Sequence, residues 1–331
     1  MRIMFVGDIN LGEYYTAFGH GPRTYSKNND IFDSVREVLS KADLVAGNLE
    51  APLTNHAYRP TKVESSVLRG DPAHAEILSS ANFKILQLAN NHTVQHGPEG
   101  FQETVETLKS VNIEPVGIAG QELLTFDIDS QTVGFLAASD VPDNTNADQR
   151  SYQRLDADFL KKISASVNLV DHLFVMLHWG LESSTKPMKY QKLLISELCD
   201  KGVRGVIGAH PHLFYEIWHE GNTIAAPSLG NFVFDLFWDP RLLKSGVLDI
   251  ELTKKGITAC RAWPATISEH GGRPILTGSA QNVGDFLKLY ELGSDMSGEQ
   301  SKKIIKLIKD LSKGNQCLKS QFILKKLSGK I

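Results

Sequence analysis

The stretch Arg2-Ile3-Met4-Phe5-Val6-Gly7-Asp8-Ile9-Asn10 decides the fold class. Four apolar residues run without alternation into a glycine, a carboxylate and an amide. A short, continuous apolar run of this kind reads as a strand buried on both faces. In extended backbone, residues i and i+2 point to one side, so Asp8 and Asn10 share a face where the strand ends. The adjacent glycine permits close approach of backbone or ligand.

The same pattern recurs four times. The run 44–46 leads into Gly47-Asn48-Leu49-Glu50, and 83–89 leads into Asn90-Asn91-His92. Likewise 173–177 leads into His178-Trp179-Gly180, and 205–207 into Gly208-Ala209-His210-Pro211-His212. Amphipathic stretches at 31–40, 98–110 and 188–201 predict helices beside these strands, which makes an α/β domain. Polar residues gather just beyond the strands, at the sheet edge where α/β proteins bind ligands.

From 214 to 267 the texture changes to short β runs at 216–219, 223–225, 247–252 and 257–262. Glu220-Gly221-Asn222 and Lys255-Gly256 are hairpin signals, so a second, antiparallel sheet is predicted here. Residues 1–285 are expected to form the domain that holds the site, and 286–331 a helical, lysine-rich tail. Between 301 and 331 stand nine lysines and one acidic residue, Asp310, with Ile304, Ile305, Ile308 and Leu311 at helical spacing. That tail reads either as a solvated helix packed on the domain or as a docking surface for an anionic polymer, a partner or the membrane periphery. It supplies none of the strand-end polar residues, so it is expected to be dispensable for metal binding.

With 331 residues, 41% of them hydrophobic, the chain can bury a sizeable core. A net charge of -3 gives no basic footprint, so nucleic acid is not an expected partner. Cys199, Cys260 and Cys317 are odd in number and far apart, which indicates neither a disulfide framework nor a zinc ribbon. The sequence opens directly on its first strand, without a leader pattern, and a cytoplasmic location is expected. It has no GxxxxGK[ST] loop, no GxGxxG after the first strand and no GxSxG elbow, which disfavours nucleotide-loop and serine-hydrolase chemistry.

Asp8, Asn10, Asn48, Glu50, Asn91, His92, His178, His210 and His212 combine carboxylates, amides and imidazoles at five strand ends. Singly, each reads as a cap or a structural histidine. Together they point to a metal site, and their mixed oxygen and nitrogen donors suit Zn, Mn or Fe better than Ca. Among candidate substrate-binding residues are Asn48 and Arg69, whose guanidinium would grip a phosphate or carboxylate, or else form a surface salt bridge. Trp179 would either stack on a sugar or belong to the core. The polar loops 19–29 and 55–64, with His20, Arg23, His56, Arg59 and Lys62, are expected to overhang the site.

These segments resemble the capsule-synthesis (CapA-type, poly-gamma-glutamate) branch of the calcineurin-like metallophosphoesterases. The likeness runs from Val6 to Asp235 and includes Ala42-Asp43, Pro52-Leu53-Thr54, Glu182 and Ser228-Leu229-Gly230-Asn231-Phe232-Val233-Phe234-Asp235. It implies a four-layer α/β/β/α sandwich, metallophosphoesterase-like, with two divalent metal ions. By that resemblance Asp8 binds the first metal, Glu50 takes the bridging place, and Asn91, His178 and His210 bind the second. His212 returns to the first metal, and His92 is the proton donor. Asn10 stands where the superfamily has histidine, so the first position is expected to be the weaker one. Gln95 and His96 replace an acidic residue and an aromatic. The implied activity is metal-dependent hydrolysis, phosphoesterase-like, in capsule or surface-polymer biosynthesis, on an anionic polymer or phosphoester and alongside other capsule-synthesis proteins. The alternative is a non-catalytic polymer-binding or scaffold subunit.

Overall fold

The computed structural model describes residues 1–56, 68–143, 150–293 and 300–328. Its strands, in chain order, are β1 (Arg2–Ile9), β2 (Leu44–Leu49), β3 (Phe83–Gln87), β4 (Glu114–Val116), β5 (Leu124–Ile128), β6 (Gln131–Ser139), β7 (His172–His178) and β8 (Gly205–Ala209). They continue with β9 (Ile217–Glu220), β10 (Thr223–Ala226), β11 (Asn231–Val233), β12 (Lys244–Thr253), β13 (Gly256–Ile267), β14 (Pro274–Leu276), β15 (Gln281–Asn282) and β16 (Phe286–Leu287). Among the helices, α1 is Pro22–Tyr25, α2 Arg36–Leu39, α3 His74–Ser80, α4 Gly97–Ser110, α5 Ala157–Ser166, α6 Lys189–Asp200, α7 Gln300–Leu311 and α8 Gln316–Leu327.

The strands form two sheets. One runs β14-β13-β12-β1-β2-β3-β4, with β11 added beside β1 and β15 beside β13; the other runs β16-β9-β10-β8-β7-β6-β5. The inner faces pack on each other through Phe5, Ile85, Phe135, Phe174 and Leu248. The outer face of the first sheet is covered through Phe32, Leu78, Phe101 and Val105, and that of the second through Phe159, Ile163, Ile195 and Leu198. Buried on both faces, the parallel strands need the near-continuous apolar sequence that marks them. The result is the four-layer α/β/β/α sandwich of metallophosphoesterases.

Three expectations about the elements change. The predicted second antiparallel sheet does not exist as a unit. Both hairpins form, but β10 pairs parallel to β8 in one sheet while β12 pairs antiparallel to β1 in the other. The predicted helix 31–40 shortens to α2, because Asp30 turns the chain back by accepting from Phe32 N (3.0 Å) and pairing with Arg36 (2.7 Å). The sheet also continues beyond 285, since β16 pairs with β9. The lysine-rich segment folds as two helices, broken at Gly314, whose φ is +65°.

The C-terminal ends of β1, β2 and β3 meet those of β7 and β8 along one edge, and the segment 227–233 crosses from β10 in the second sheet to β11 in the first. Gly7 and Gly208 have no room for a side chain, because a Cβ would overlap the carbonyls of Gly230 and Pro227 in this crossover. Asp8 N donates to Gly230 O (2.9 Å) and Asn10 N to Val233 O (2.8 Å), which ties the first strand end to the crossover.

Candidate metal centre

Asp8, Glu50 and His178 come together at that edge, each fully buried, with one ligand atom from each within 4.8 Å of the others. Asn48 separates the two carboxylates: its Nδ2 donates to Asp8 Oδ1 (2.8 Å) and to Glu50 Oε2 (2.5 Å). Asn90 in turn holds Asn48, donating to its Oδ1 (3.2 Å) and to Leu49 O (2.8 Å), and it accepts from His92 N (3.0 Å). The amide ladder positions charge rather than facing solvent.

The histidines surround these carboxylates. His178 Nε2 lies 2.8 Å from Asn91 Oδ1, while its Nδ1 turns toward Glu50 Oε2 at 3.8 Å and has no hydrogen-bond partner. The His210 ring centre is 4.7 Å from that of His178, and its Nδ1 is also without a partner. His212 Nδ1 approaches Asp8 Oδ2 (3.2 Å) and Asn231 Oδ1 (2.9 Å). His92 Nε2 is 3.6 Å from Glu50 Oε1, an oxygen that itself lacks a hydrogen-bond partner.

Both His210 (φ 96°) and His212 (φ 60°) occupy the left-handed region, flanking Pro211. For residues with a Cβ this costs about 1–3 kcal/mol each and persists only where the surroundings fix it. Here His210 N donates to Asp8 Oδ2 (3.3 Å), so the strained turn wraps the carboxylate and aims two imidazoles across it.

Burial and neighbouring charge shift the ionisable groups of the centre in opposite directions. Burial, and then the neighbouring charge of Asp8, raises the Glu50 pKa well above the usual carboxylate value. Burial, and then the neighbouring imidazoles, holds His178 and His210 well below 6.5 and therefore neutral. Burial also works against a charged His212, but the hydrogen bond and charge of Asp8 outweigh it and raise its pKa to about 9. His92 is lowered, chiefly by burial. Neutral imidazoles with orphaned nitrogens, facing a carboxylate with an orphaned oxygen, fit a divalent cation better than they fit an empty polar core. Asp8, Glu50 and His178 converge for it most directly, and the unpartnered Nδ1 of His210 belongs to the ring beside His178.

Three sequence candidates have other partners. Asn10 is buried beside Asp8, yet its Oδ1 accepts from Gly12 N (2.9 Å) and its Nδ2 donates to Asp235 Oδ1 (3.1 Å). Trp179 is a core residue and not a stacking platform: it is fully buried, and Nε1 donates to Pro227 O (3.0 Å). Asn48 is engaged with both carboxylates, as described, and so does not stand free for substrate. Arg69 is half-buried, and its Nη1 donates to Asn55 O (3.2 Å). Gln95 and His96 hold the backbone just before it, through Leu68 N (2.9 Å) and Leu68 O (2.9 Å). The backbone N–H of Arg23 donates to Gly12 O (3.3 Å), and His56 stands 3.8 Å from Glu103. Arg59 and Lys62 lie outside the described residues.

Asp235 was not among the sequence candidates for the site. It is buried, accepts from Tyr14 N (2.6 Å) as well as Asn10, and burial raises its pKa to about 7. Its place at the end of the glycine-bearing run 228–235 was the available signal.

Residues 2–236 match the model of the family described as bacterial capsule synthesis protein PGA_cap. The chain belongs to this family. It is 29% identical over 282 residues to the PGA biosynthesis protein CapA of Bacillus subtilis (strain 168), covering 82% of this chain and 73% of that protein. It is 27% identical over 300 residues to the capsule biosynthesis protein CapA of Bacillus anthracis, covering 85% and 71%. Among solved structures, a putative 5'-nucleotidase from Staphylococcus aureus superposes with a TM-score of 0.50 at 13% identity, over 93% of this chain and 58% of that one. At that identity the likeness speaks for the fold alone. The motif resemblance is thereby borne out, and a capsule-biosynthesis family member carries a metallophosphoesterase-like fold with a buried carboxylate and imidazole cluster.

Proposed function

We propose that this chain is a metal-dependent hydrolase, phosphoesterase-like, acting on an anionic polymer or phosphoester during capsule or surface-polymer synthesis. The supporting observation is the buried trio Asp8, Glu50 and His178, whose ligand atoms converge and in which Glu50 Oε1 and His178 Nδ1 have no hydrogen-bond partner. Asp8, Glu50, His178 and His210 would hold the cations, with Asn91 and His212 beside them; Mn, Zn or Fe suits these donors. When bound, a pair of such ions supplies Lewis-acid polarisation of a phosphoryl or acyl oxygen and lowers the pKa of water.

The chain's own residues divide the remaining work. Asn48 and Asn90 hold the carboxylates apart and in register. His92, on the wall of the centre 3.6 Å from Glu50, is neutral at rest because burial lowers its pKa. An incoming anion favours its protonated form, which can then hand a proton to the leaving oxygen. Arg69 and Arg23 would attract the anion. The outward face of the C-terminal helices exposes Ile304, Ile305 and Ile308 among lysines, which suits contact with an anionic polymer, a capsule-synthesis partner or the membrane periphery. No described helix is long and apolar enough to cross a membrane.

One observation favours a second reading. Both ends of the Asn10 amide are engaged, so the first metal position is short of a ligand, as a polymer-binding scaffold that keeps a single ion would be. Metal analysis of protein purified without chelator, together with hydrolysis of an aryl phosphate ester with and without EDTA, separates the two. Bound metal with EDTA-sensitive turnover supports the hydrolase. Bound metal without turnover supports the scaffold, and no uptake of Mn, Zn or Fe overturns the metal reading.

A further inference from the structure

We propose that the C-terminal helical hairpin braces the metal centre, with Lys319 as a positioning residue that fixes the 13–20 loop and through it the Asn10–Asp235 pair. Lys319 is 2% exposed, which is rare for lysine. Its ammonium has three N–H donors, and all three find backbone carbonyls: Thr16 O in the loop, Asp310 O (2.6 Å) and Lys313 O (2.6 Å). One cation therefore caps the carbonyl end of α7 and grips the loop at the same time.

Neighbouring contacts act in the same direction. Phe322 of α8 stacks on Tyr15 (ring centres 5.2 Å apart) and meets Phe18 edge-on (5.7 Å). Asn315 N donates to Phe18 O (2.6 Å), an approach open only because Gly314 has no Cβ to overlap that carbonyl.

The loop closes on itself through Glu13, whose carboxylate accepts from Gly19 N (3.1 Å) and Thr24 N (2.7 Å). Its next residue, Tyr14, donates its N–H to Asp235, and Asp235 accepts from Asn10, two residues from Asp8. The path from Lys319 to the centre thus runs through hydrogen bonds, ring contacts and short lengths of chain. On this proposal the tail is not dispensable for metal binding. The effect on metal affinity rests on the metal reading above; the effect on loop order does not.

The test uses the full chain with Lys319→Met, Lys319→Arg and Phe322→Ala, and it reads hydrogen exchange together with Mn(II) affinity by calorimetry. Lys319→Met and Phe322→Ala are expected to speed exchange in peptides covering 13–24 and 231–237 by about tenfold, while 124–139 stays protected. Mn(II) affinity should fall by about fivefold, an indirect loss smaller than removing a ligand's own hydrogen-bond partner. Lys319→Arg should restore part of both. Unchanged exchange at 13–24 overturns the brace, and so does faster exchange spread evenly through the chain. Faster loop exchange with unchanged Mn(II) affinity overturns the positioning of the centre. If the wild-type chain takes up no Mn(II), the metal reading fails and the exchange data alone decide the brace.

Discussion

Replacing Glu50 by Gln should make the metal-free protein more stable and leave it unable to gain from metal. Asp8 and Glu50 are both fully buried, and their ligand atoms lie within 4.8 Å of each other. At an effective dielectric of about 20, two unit charges at that distance repel by about 3 kcal/mol. The two Asn48 hydrogen bonds and the charged His212 offset part of this, so the expected gain is about 1–3 kcal/mol, or about 2 °C in Tm per kcal/mol for a chain of this size. The pH dependence has a definite sign. Glu50 has a folded pKa raised above its unfolded value, so the metal-free wild type is most stable in this respect below that unfolded value and loses stability as pH rises through it toward the folded pKa. The variant should lack this decline. With metal the order reverses: at about 100-fold over its Kd a cation adds about 2.7 kcal/mol to the wild type, and the variant should lose most of that increment. Thermal unfolding at pH 8 in EDTA and in excess Mn(II) measures both quantities. A variant less stable than wild type in EDTA, or one keeping the full metal-induced rise, would refute the argument from buried like charge.

Replacing His92 by Ala should leave bound metal nearly unchanged while lowering turnover by at least about tenfold, more for esters with poor leaving groups than for activated aryl esters. Metal lost in proportion to activity would identify it as a ligand instead. His74 gives a separate, acid-side prediction. Its Nδ1 accepts from Asp71 N (3.1 Å), its Nε2 faces Ser26 Oγ (3.2 Å), and burial lowers its pKa to about 4. Its contribution to stability is therefore fully present above an unfolded pKa of about 6.5 and is lost as pH falls toward 4, about 3 kcal/mol in all. Denaturant titrations of His74→Gln across that window should show a flatter profile; parallel curves would count against it.

The strand ends were legible because buried parallel strands write continuous apolar runs and their polar terminators stand out. Pairing between distant strands leaves no such local mark. Glu220-Gly221-Asn222 and Lys255-Gly256 specify two hairpins correctly, yet nothing within either says that β10 will lie beside β8 and β12 beside β1. The helix expected at 31–40 failed for a local reason, the Asp30 turn, that hydrophobic spacing does not register. At the site, residue types identified the cluster, while the hydrogen-bond partners of its members are tertiary facts. Asn10 looked like a weakened ligand, and only the fold shows Asp235 taking its amide. Lys319 looked like one more solvated lysine in a basic run, because burial of a cation is decided by carbonyls far away in the chain.

The crossover at 227–233 also sets when the centre can form. His210 N reaches Asp8 across 202 positions of sequence, and Asn10 reaches Asp235 across 225. Contacts of such separation carry a loop-closure cost that slows folding. On a ribosome, the carboxylates of β1 and β2 emerge long before His178, His210 and His212. Any cation held here would meet only part of its donors until His212 has been made. On the proposed metal reading, a cation would reward a chain that has already brought its two sheets together.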